Sequence, residues 1–171
     1  MKYCPQCARE LMSRVIDGVN RLACSSSECG FVHWNNPIPV VAGIVQHEGK
    51  YIIARNAKWP SGMFSMITGF LEKGETPEQA IFRETHEELG LRGESLEFIG
   101  HYAFLELNQL VIAFAVKAHG NLAPSEEIAE VKMLSKSELE TYDFGRLKLT
   151  SKIVAQWLQM LDSASQRDPS K

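Results

Sequence analysis

Length, composition and charge limit what this chain can be. Its 171 residues are enough for one ordinary domain and a small module. The composition, 44% hydrophobic and 23% charged, is typical of a soluble globular protein. A net charge of −3 argues against loose binding to a nucleic-acid backbone, which needs a basic surface. No run is apolar for long enough to span a membrane and the start, MKYCPQC, is unlike a signal peptide, so we expect a cytoplasmic location.

All four cysteines lie within the first thirty residues, in a C-x2-C pair and a C-x4-C pair: Cys4, Cys7, Cys24 and Cys29. Two such turns can place four thiolates at about 2.3 Å from one Zn²⁺. Four protein ligands leave no open position, so this zinc would be structural. Disulfides and metal-free thiols are the alternatives, and the expected reducing compartment argues against disulfides.

The residues between the two cysteine pairs predict a hairpin. Leu11–Ile16 and 20–23 can pair as strands across a turn at Asp17 and Gly18. The pattern predicts a zinc ribbon over residues 1–34, and His33 is assigned to the linker that follows.

Beyond the linker, the chain alternates apolar runs with turns. The runs 40–45 and 110–116 are continuous and predict strands buried on both faces. Shorter strands are predicted at 51–55, 95–100 and 131–134, a short helix after Ser135, and an amphipathic helix over 149–161. Trp59 lies in a predicted loop and is assigned to the core, with the wall of a pocket as the alternative.

Residues 69–91 read GFLEKGETPEQAIFRETHEELGL. The first seven, 69–75, show no strand alternation and predict a loop. Thr76 with Gln79 forms a capping box at a helix start, and Gly90 is a typical left-handed stop. The segment therefore predicts a loop followed by a helix that ends near residue 89.

This predicted helix has two different faces. Its packing face carries Ile81, Phe82, Thr85 and Leu89. The other face carries Glu84, Glu87 and Glu88, which repel one another on adjacent turns. A divalent cation would offset that repulsion, because Mg²⁺ prefers carboxylate oxygens. The alternative is a solvated acidic face without a ligand.

The whole stretch resembles the Nudix box, G-x5-E-x7-R-E-U-x-E-E-x-G-U, in which U is a bulky aliphatic residue. The matching places are Gly69, Glu75, Arg83, Glu84, Glu87, Glu88, Gly90 and Leu91. Thr85 departs from the aliphatic place, with slightly weaker packing as the expected consequence. The resemblance implies a Nudix α/β/α sandwich with a mixed sheet over residues 35–163, followed by a disordered tail over 164–171.

The resemblance to Nudix hydrolases also implies a reaction, the hydrolysis of a pyrophosphate bond with Mg²⁺ or Mn²⁺. The implied metal ligands are Glu84, Glu87, Glu88, Glu127 and the carbonyl of Thr68. Glu127 is placed by an E-I/L-x-E segment before a strand, and Glu87 is either a ligand or orients the water. Arg83 is implied to pair with Glu75 and to orient the carboxylates, so both belong to the catalytic set.

A ribbon ahead of the box resembles the NADH pyrophosphatase branch, whose members cleave dinucleotides such as NADH and in some cases remove NAD caps from RNA. That branch carries S-Q-P-W-P-F-P-x-S after the box, whereas this chain has HYAFLELNQ at 101–109. The resemblance therefore implies the architecture without the nicotinamide specificity. Tyr102 or Phe104 can stack on a base in this interpretation, or both are ordinary strand and core aromatics.

Three functions follow as hypotheses. The first is a pyrophosphatase for a dinucleotide, NADH or NAD before ADP-ribose or FAD. The second is a house-cleaning hydrolase for nucleoside triphosphates. The third is a non-enzymatic module in which the ribbon binds RNA or a protein partner. The expected partner is a small nucleotide, with capped RNA as an extension, no membrane, and a homodimer by analogy with the family.

Overall fold

The structure is a computed structural model that describes residues 1–167. It divides into two compact units, Met1–Pro37 and Ile38–Lys171. The division falls slightly after the boundary that the sequence predicts between residues 34 and 35.

The N-terminal unit is a three-stranded antiparallel sheet in the order β1-β2-β3. Its strands are β1 Leu11–Ile16, β2 Val19–Cys24 and β3 Val32–His33. The predicted hairpin is confirmed, with left-handed φ of 52° at Asp17 and 77° at Gly18. His33 is a correction, because it lies in β3 opposite Leu22 and not in a linker.

The C-terminal unit contains six strands and three helices. The strands are β4 Ile38–His47, β5 Lys50–Asn56, β6 Ile67–Phe70, β7 Arg92–Phe104, β8 Gln109–His119 and β9 Ile128–Leu134. The helices are α1 Pro77–Leu89, α2 Lys136–Glu140 and α3 Lys148–Arg167. A short 3₁₀ helix, Leu105–Leu107, connects β7 to β8.

The six strands form one mixed sheet, as predicted. The order is β7-β8-β4-β5-β9, and β6 pairs with β4 beside that path. The β4–β8 pair is parallel and the others are antiparallel. This pairing places Asn56 at the end of β5 opposite Ile128 at the start of β9.

Side chains of β4 alternate between two hydrophobic cores, which explains its continuous apolar run. Val40, Ala42 and Ile44 pack with residues of α2 and α3, including Leu139 and Trp157. Val41 and Val45 pack on the opposite face with residues of α1: Ala80, Ile81 and Leu89. The helix–sheet–helix layering of a Nudix α/β/α sandwich is confirmed.

Helix α1 has the boundaries that its sequence predicts. Thr76 and Gln79 form the reciprocal capping box, and Gly90 ends the helix with a φ of 70°. Thr85 is fully buried, and its hydroxyl donates to the Ile81 carbonyl at 2.7 Å. The threonine thus satisfies its polar atom within its own helix while its methyl group faces the core.

Two strands differ from the sequence-based expectation. Residues 67–70, assigned in part to a loop, form β6 because Gly69 pairs with Val41 of β4. β7 is much longer than the predicted 95–100, since it pairs with β8 along almost its whole length. Two register shifts in that pairing break the alternation that a sequence pattern would show.

The predicted tail, 164–171, falls in two parts. Residues up to Arg167 continue α3, and 168–171 lie outside the described residues. Within residues 1–167, no helix is long and apolar enough to cross a membrane.

Packing of α2 on the sheet makes a first prediction. Leu139→Ala should lower the free energy of unfolding by about 2–5 kcal/mol, because it leaves a cavity at a side chain that is 1% exposed. Leu105→Ala is the matched control, since Leu105 is 82% exposed and should cost less than about 0.5 kcal/mol. Urea denaturation measures both, and equal effects would contradict this description of the core.

Candidate active site

Arg83 is the centre of a hydrogen-bond network on α1. Its Nε and Nη2 donate to the two carboxylate oxygens of Glu75 at 3.1 and 2.7 Å. Nη1 donates to Glu84 at 2.7 Å and to Glu87 at 3.0 Å, and Nη2 also donates to the Phe70 carbonyl at 3.0 Å. These five bonds use all five N–H groups of the guanidinium. The network joins the loop before α1 to the acidic face of the helix.

The charges of this network shift each other's proton affinities. Hydrogen bonds from Arg83 and from the Glu72 backbone lower the pKa of Glu75. Burial raises the pKa of Glu84, although Arg83 opposes it. The carboxylates in turn raise the pKa of Arg83, so the guanidinium stays charged. The carboxylates are therefore oriented by a permanent cation.

The absence of a side chain at Gly69 allows the Glu84 carboxylate to lie against β6. A Cβ at Gly69 would lie 1.9 Å from the carboxyl carbon of Glu84. Any side chain at this place would therefore displace the Glu84 carboxylate from its position against the β6 backbone.

Glu88 lies one turn further along and differs from its neighbours. Burial, then the nearby carboxylates of Glu84, Glu127 and Glu87, raises its pKa to about 8. Across residues 1–167, no lysine or arginine forms an ion pair with its carboxylate. Glu88 is therefore a partly desolvated acid that is surrounded by other carboxylates. No basic side chain among residues 1–167 pairs with it.

Glu127 is the one of three neighbouring glutamates that reaches Glu88. It lines the same cavity as Glu84 and Glu88, and its charge acts on Glu88. Glu130 is bound instead by Arg55, at 3.0 and 2.7 Å. Glu126 does not line this cavity. The lining of the cavity thus distinguishes Glu127 from Glu126 and Glu130, which the sequence motif alone does not separate.

The cavity has a volume of about 340 Å³ and lies between α1, β4, β5, β6 and the start of β9. One end is acidic, with Glu84, Glu88 and Glu127. The other walls carry aromatic and amide side chains: Trp59, Phe70, Asn56 and Gln109. Thr68 of β6 also lines the cavity.

Two aromatic assignments made from the sequence do not match the structure. Trp59 belongs to neither hydrophobic core and lines the cavity, so its prediction as a core residue is wrong. Tyr102 is buried in the core beside α3 and Phe104 packs against that core, and neither lines the cavity. From the segment that replaces the NADH pyrophosphatase motif, the residue that reaches the cavity is Gln109.

Asn56 and Gln109 were missed as site residues, and the wall of a pocket was given only as the alternative for Trp59. Asn56 ends β5, and the pairing of β5 with β9 shifts register next to it. Such bulges often redirect side chains beside active sites. The polar Asn56 at the end of a buried strand is the signal that could have identified this wall.

The acidic end of the cavity fits hard divalent cations. Its donors are all oxygens, and a cation would compensate the half-buried Glu88 and the carboxylate charges near it. Glu84, Glu88 and Glu127 would hold Mg²⁺ or Mn²⁺, with Glu87 and the Thr68 carbonyl beside them.

The cysteines of the N-terminal unit form a second candidate metal site. All four sulfur atoms lie within 4.8 Å of one another. The Cys4–Cys29 and Cys7–Cys24 sulfurs are 3.5 and 3.4 Å apart, too far for disulfides, which need about 2.05 Å. Four thiolates around one point fit a tetrahedral zinc ion.

The sequence matches the NUDIX domain family over residues 37–158. It is 30% identical over 142 residues to the "NAD-capped RNA hydrolase NudC" of Vibrio vulnificus, covering 81% of this chain and 52% of that protein. The protein of the same name from Chromobacterium violaceum is 28% identical over 126 residues, covering 73% of this chain and 46% of that one. This chain therefore spans about half the length of these relatives.

The fold is similar to a solved structure over nearly its full length. The crystal structure of a NUDIX hydrolase from Nitrosomonas europaea superposes with a TM-score of 0.73 at 27% identity, covering 93% of this chain and 91% of that one. The fold of this chain is thus represented among known structures.

The raised pKa of Glu88 makes a prediction for the protein without added divalent metal. The pKa of a glutamate in the unfolded chain is about 4.3. In the folded protein, burial and the nearby carboxylates raise the pKa of Glu88 to about 8. Between these pH values the folded state keeps a proton that the unfolded state has lost, so stability falls as pH rises. Glu88→Gln should remove this loss and be more stable than the wild type at pH 8, with the difference vanishing towards pH 4.

Thermal melting from pH 4 to 8 in resin-treated buffer measures this difference. Both proteins carry the same ribbon, so its contribution cancels. Added Mg²⁺ should stabilise the wild type more than Glu88→Gln. Parallel melting curves at every pH, with equal responses to Mg²⁺, would contradict the burial and the ligand role of Glu88.

Proposed function

This chain belongs to the Nudix family, and we propose that it is a metal-dependent pyrophosphatase that cleaves a nucleoside diphosphate linked to another group. The observation that carries the proposal is the acidic end of the cavity. Glu84 and Glu88 of α1 and Glu127, just before β9, line it together, and no lysine or arginine among residues 1–167 pairs with the half-buried Glu88. A site that desolvates carboxylates in this way is suited to divalent cations that carry phosphate.

Each residue of the site has a role on this proposal. Glu84, Glu88 and Glu127 hold Mg²⁺ or Mn²⁺, and the Thr68 carbonyl contributes a further oxygen. Arg83 and Glu75 fix the orientation of Glu84, as their hydrogen bonds support. When bound, the cations neutralise charge on the phosphoryl oxygens and lower the pKa of water.

Glu87 is placed differently from the other two box glutamates. Its side chain is 57% exposed and receives a hydrogen bond from Arg83, and it does not line the cavity. We assign it to a solvent-facing position from which it either adds a metal oxygen or accepts the proton of the attacking water. Its greater exposure to solvent than that of Glu84, which is 14% exposed, suits that second role.

The first candidate substrate is a dinucleotide such as NADH or NAD. The named relatives act on NAD-capped RNA, which contains the same pyrophosphate. ADP-ribose and FAD remain alternatives, because the nicotinamide-specific segment of the NADH pyrophosphatases is replaced here. A nucleoside triphosphate hydrolase is the second enzymatic candidate, and a ribbon that binds RNA without hydrolysis is the non-enzymatic one.

The four-cysteine cluster is proposed to hold one structural Zn²⁺. The N–H of Arg9 and the thiol of Cys24 lower the pKa of Cys7 to about 7, which favours a thiolate at that position. Four protein sulfurs leave no position for water, so no catalytic step belongs to this ion.

Substrate incubation tests the proposed reaction. Purified protein with Mg²⁺ or Mn²⁺ should cleave at least one of NADH, NAD, ADP-ribose and FAD to mononucleotide products, which chromatography separates. Glu88→Gln should remain folded and lose activity by about two or more orders of magnitude, because a neutral amide replaces a metal ligand. Turnover near that of the wild type in Glu88→Gln would disprove the assignment, and cleavage of triphosphates alone would favour the second candidate.

Glu127 and Glu126 offer a matched pair of neighbouring glutamates. Glu127→Gln should reduce activity at least about tenfold and raise the Mg²⁺ concentration needed for half-maximal rate, since the carboxylate lines the cavity. Glu126→Gln should leave both near wild type, because Glu126 does not line the cavity. The reverse result would assign the ligand to Glu126.

Zinc removal tests the ribbon. Mass spectrometry of the intact protein should find about one Zn²⁺ per chain. Cys4→Ser should lose the zinc and make residues 1–37 sensitive to proteases, because the ribbon has few other buried groups to hold it. Ser27→Ala, an exposed change inside the C-x4-C turn, should keep the metal. A zinc-free protein with a protease-resistant ribbon would contradict this site.

A further inference from the structure

We infer that Trp59 is the surface on which the planar ring of the substrate stacks, and that this cavity holds one nucleotide unit of it. The inference rests on the proposed function, since it concerns the same cavity. It assigns ring recognition to the loop after β5, where no motif predicts it.

The indole of Trp59 is available to a ligand. Trp59 is half-buried, packs in neither hydrophobic core and lines the cavity that ends at Glu84 and Glu88. By contrast, Trp157 is buried in the core beside α3, and Trp34 belongs to the N-terminal unit. Trp59 is thus the tryptophan that shares a wall with the proposed phosphate-binding carboxylates.

The backbone beneath this ring is held in place before any ligand arrives. The N–H of Trp59 donates to the Asn56 carbonyl at 2.9 Å, and Nη1 of Arg55 donates to the Trp59 carbonyl at 3.1 Å. Arg55 is itself fixed by Glu130, and its side chain is only 15% exposed. A preorganised ring loses little conformational freedom on binding, so more of the stacking energy appears as affinity.

The same loop is tied to the metal-binding end of the cavity. The N–H of Ala57 donates to the backbone carbonyl of Glu127 at 2.7 Å. The loop that carries Trp59 and the segment that carries Glu127 are therefore joined directly. A nucleotide whose ring lies on Trp59 would have its phosphates placed against carboxylates at a set distance.

The amide side chains that line the cavity with Trp59 indicate which kind of ligand ring the site can bind. The Asn56 Oδ1 accepts the N–H of Lys58 at 2.9 Å, which leaves the two N–H donors of the amide to face a ligand. Gln109 adds a second amide to the wall. The site is suited to a flat ring with hydrogen-bond acceptors on its edge, such as adenine or a nicotinamide carboxamide.

The size of the cavity limits how much of the substrate it encloses. About 340 Å³ lies at the lower end of the roughly 300–1,000 Å³ of small-molecule sites. That is room for one nucleotide unit and not for two. The group on the far side of the pyrophosphate would lie outside, so the enzyme should discriminate strongly on one half of a dinucleotide and weakly on the other.

Tryptophan fluorescence tests the contact without any turnover. AMP and nicotinamide mononucleotide, both products of the proposed reaction, are titrated separately with Mg²⁺ present, and the signal is corrected for absorption. At least one should quench the wild type and Trp34→Phe saturably, and that quenching should disappear in Trp59→Phe. Quenching that persists in Trp59→Phe, or no quenching of the wild type by either mononucleotide, would overturn the inference.

Steady-state kinetics tests the contribution to binding. With the substrate that the wild type cleaves best, Trp59→Leu should raise KM roughly 5- to 100-fold with kcat nearly unchanged, since stacking holds substrate and transition state alike. Trp59→Phe keeps a ring and should recover most of that loss. Phe70→Leu removes the other aromatic of the wall and should have a smaller effect.

The two tests separate this inference from the proposed function. If the wild type cleaves its substrate and Trp59→Leu keeps KM within about threefold, the stacking role fails while the hydrolase stands. A KM increase confined to Phe70→Leu would likewise overturn it. If the wild type cleaves nothing, the fluorescence titration still decides whether Trp59 contacts a nucleotide.

Discussion

The hydrogen bonds of one guanidinium organise this site. Arg83 donates all five of its N–H groups to Glu75, Glu84, Glu87 and the Phe70 carbonyl, so none remains for Glu88. The bonds fix the loop after β6 against α1, and they place Glu84 over the bare backbone of Gly69. The position of the acidic face therefore depends on a residue that needs no contact with substrate.

One arginine does not balance the five carboxylates of Glu75, Glu84, Glu87, Glu88 and Glu127, and three of these line the cavity: Glu84, Glu88 and Glu127. Glu88 is half-buried, and its desolvation together with the charges of Glu84 and Glu127 raises its pKa to about 8. A fold that stabilised itself alone would pair or remove such a group, because desolvated charge is costly. The cost becomes useful when a divalent cation binds, since the carboxylates then need little rearrangement.

The sequence predicts the local parts of this structure better than the non-local ones. Caps at Thr76 and Gly90 define α1 because the deciding hydrogen bonds are between near neighbours. Glu127 was found through a motif. The full length of β7 was not predicted, because the bulges in its pairing with β8 interrupt the alternation of apolar and polar residues. Trp59 was misassigned because average burial cannot separate a core residue from the wall of a cavity.

Two parts of the chain that are remote in sequence build the two ends of the cavity. The box supplies Glu84 and Glu88 from α1, while Trp59 comes from the loop after β5. Ring recognition and phosphate chemistry can therefore change separately. On the proposed function, this explains how the segment after the box can lose the NADH pyrophosphatase motif. Tyr102 can pack in the core because the loop after β5 presents a ring of its own.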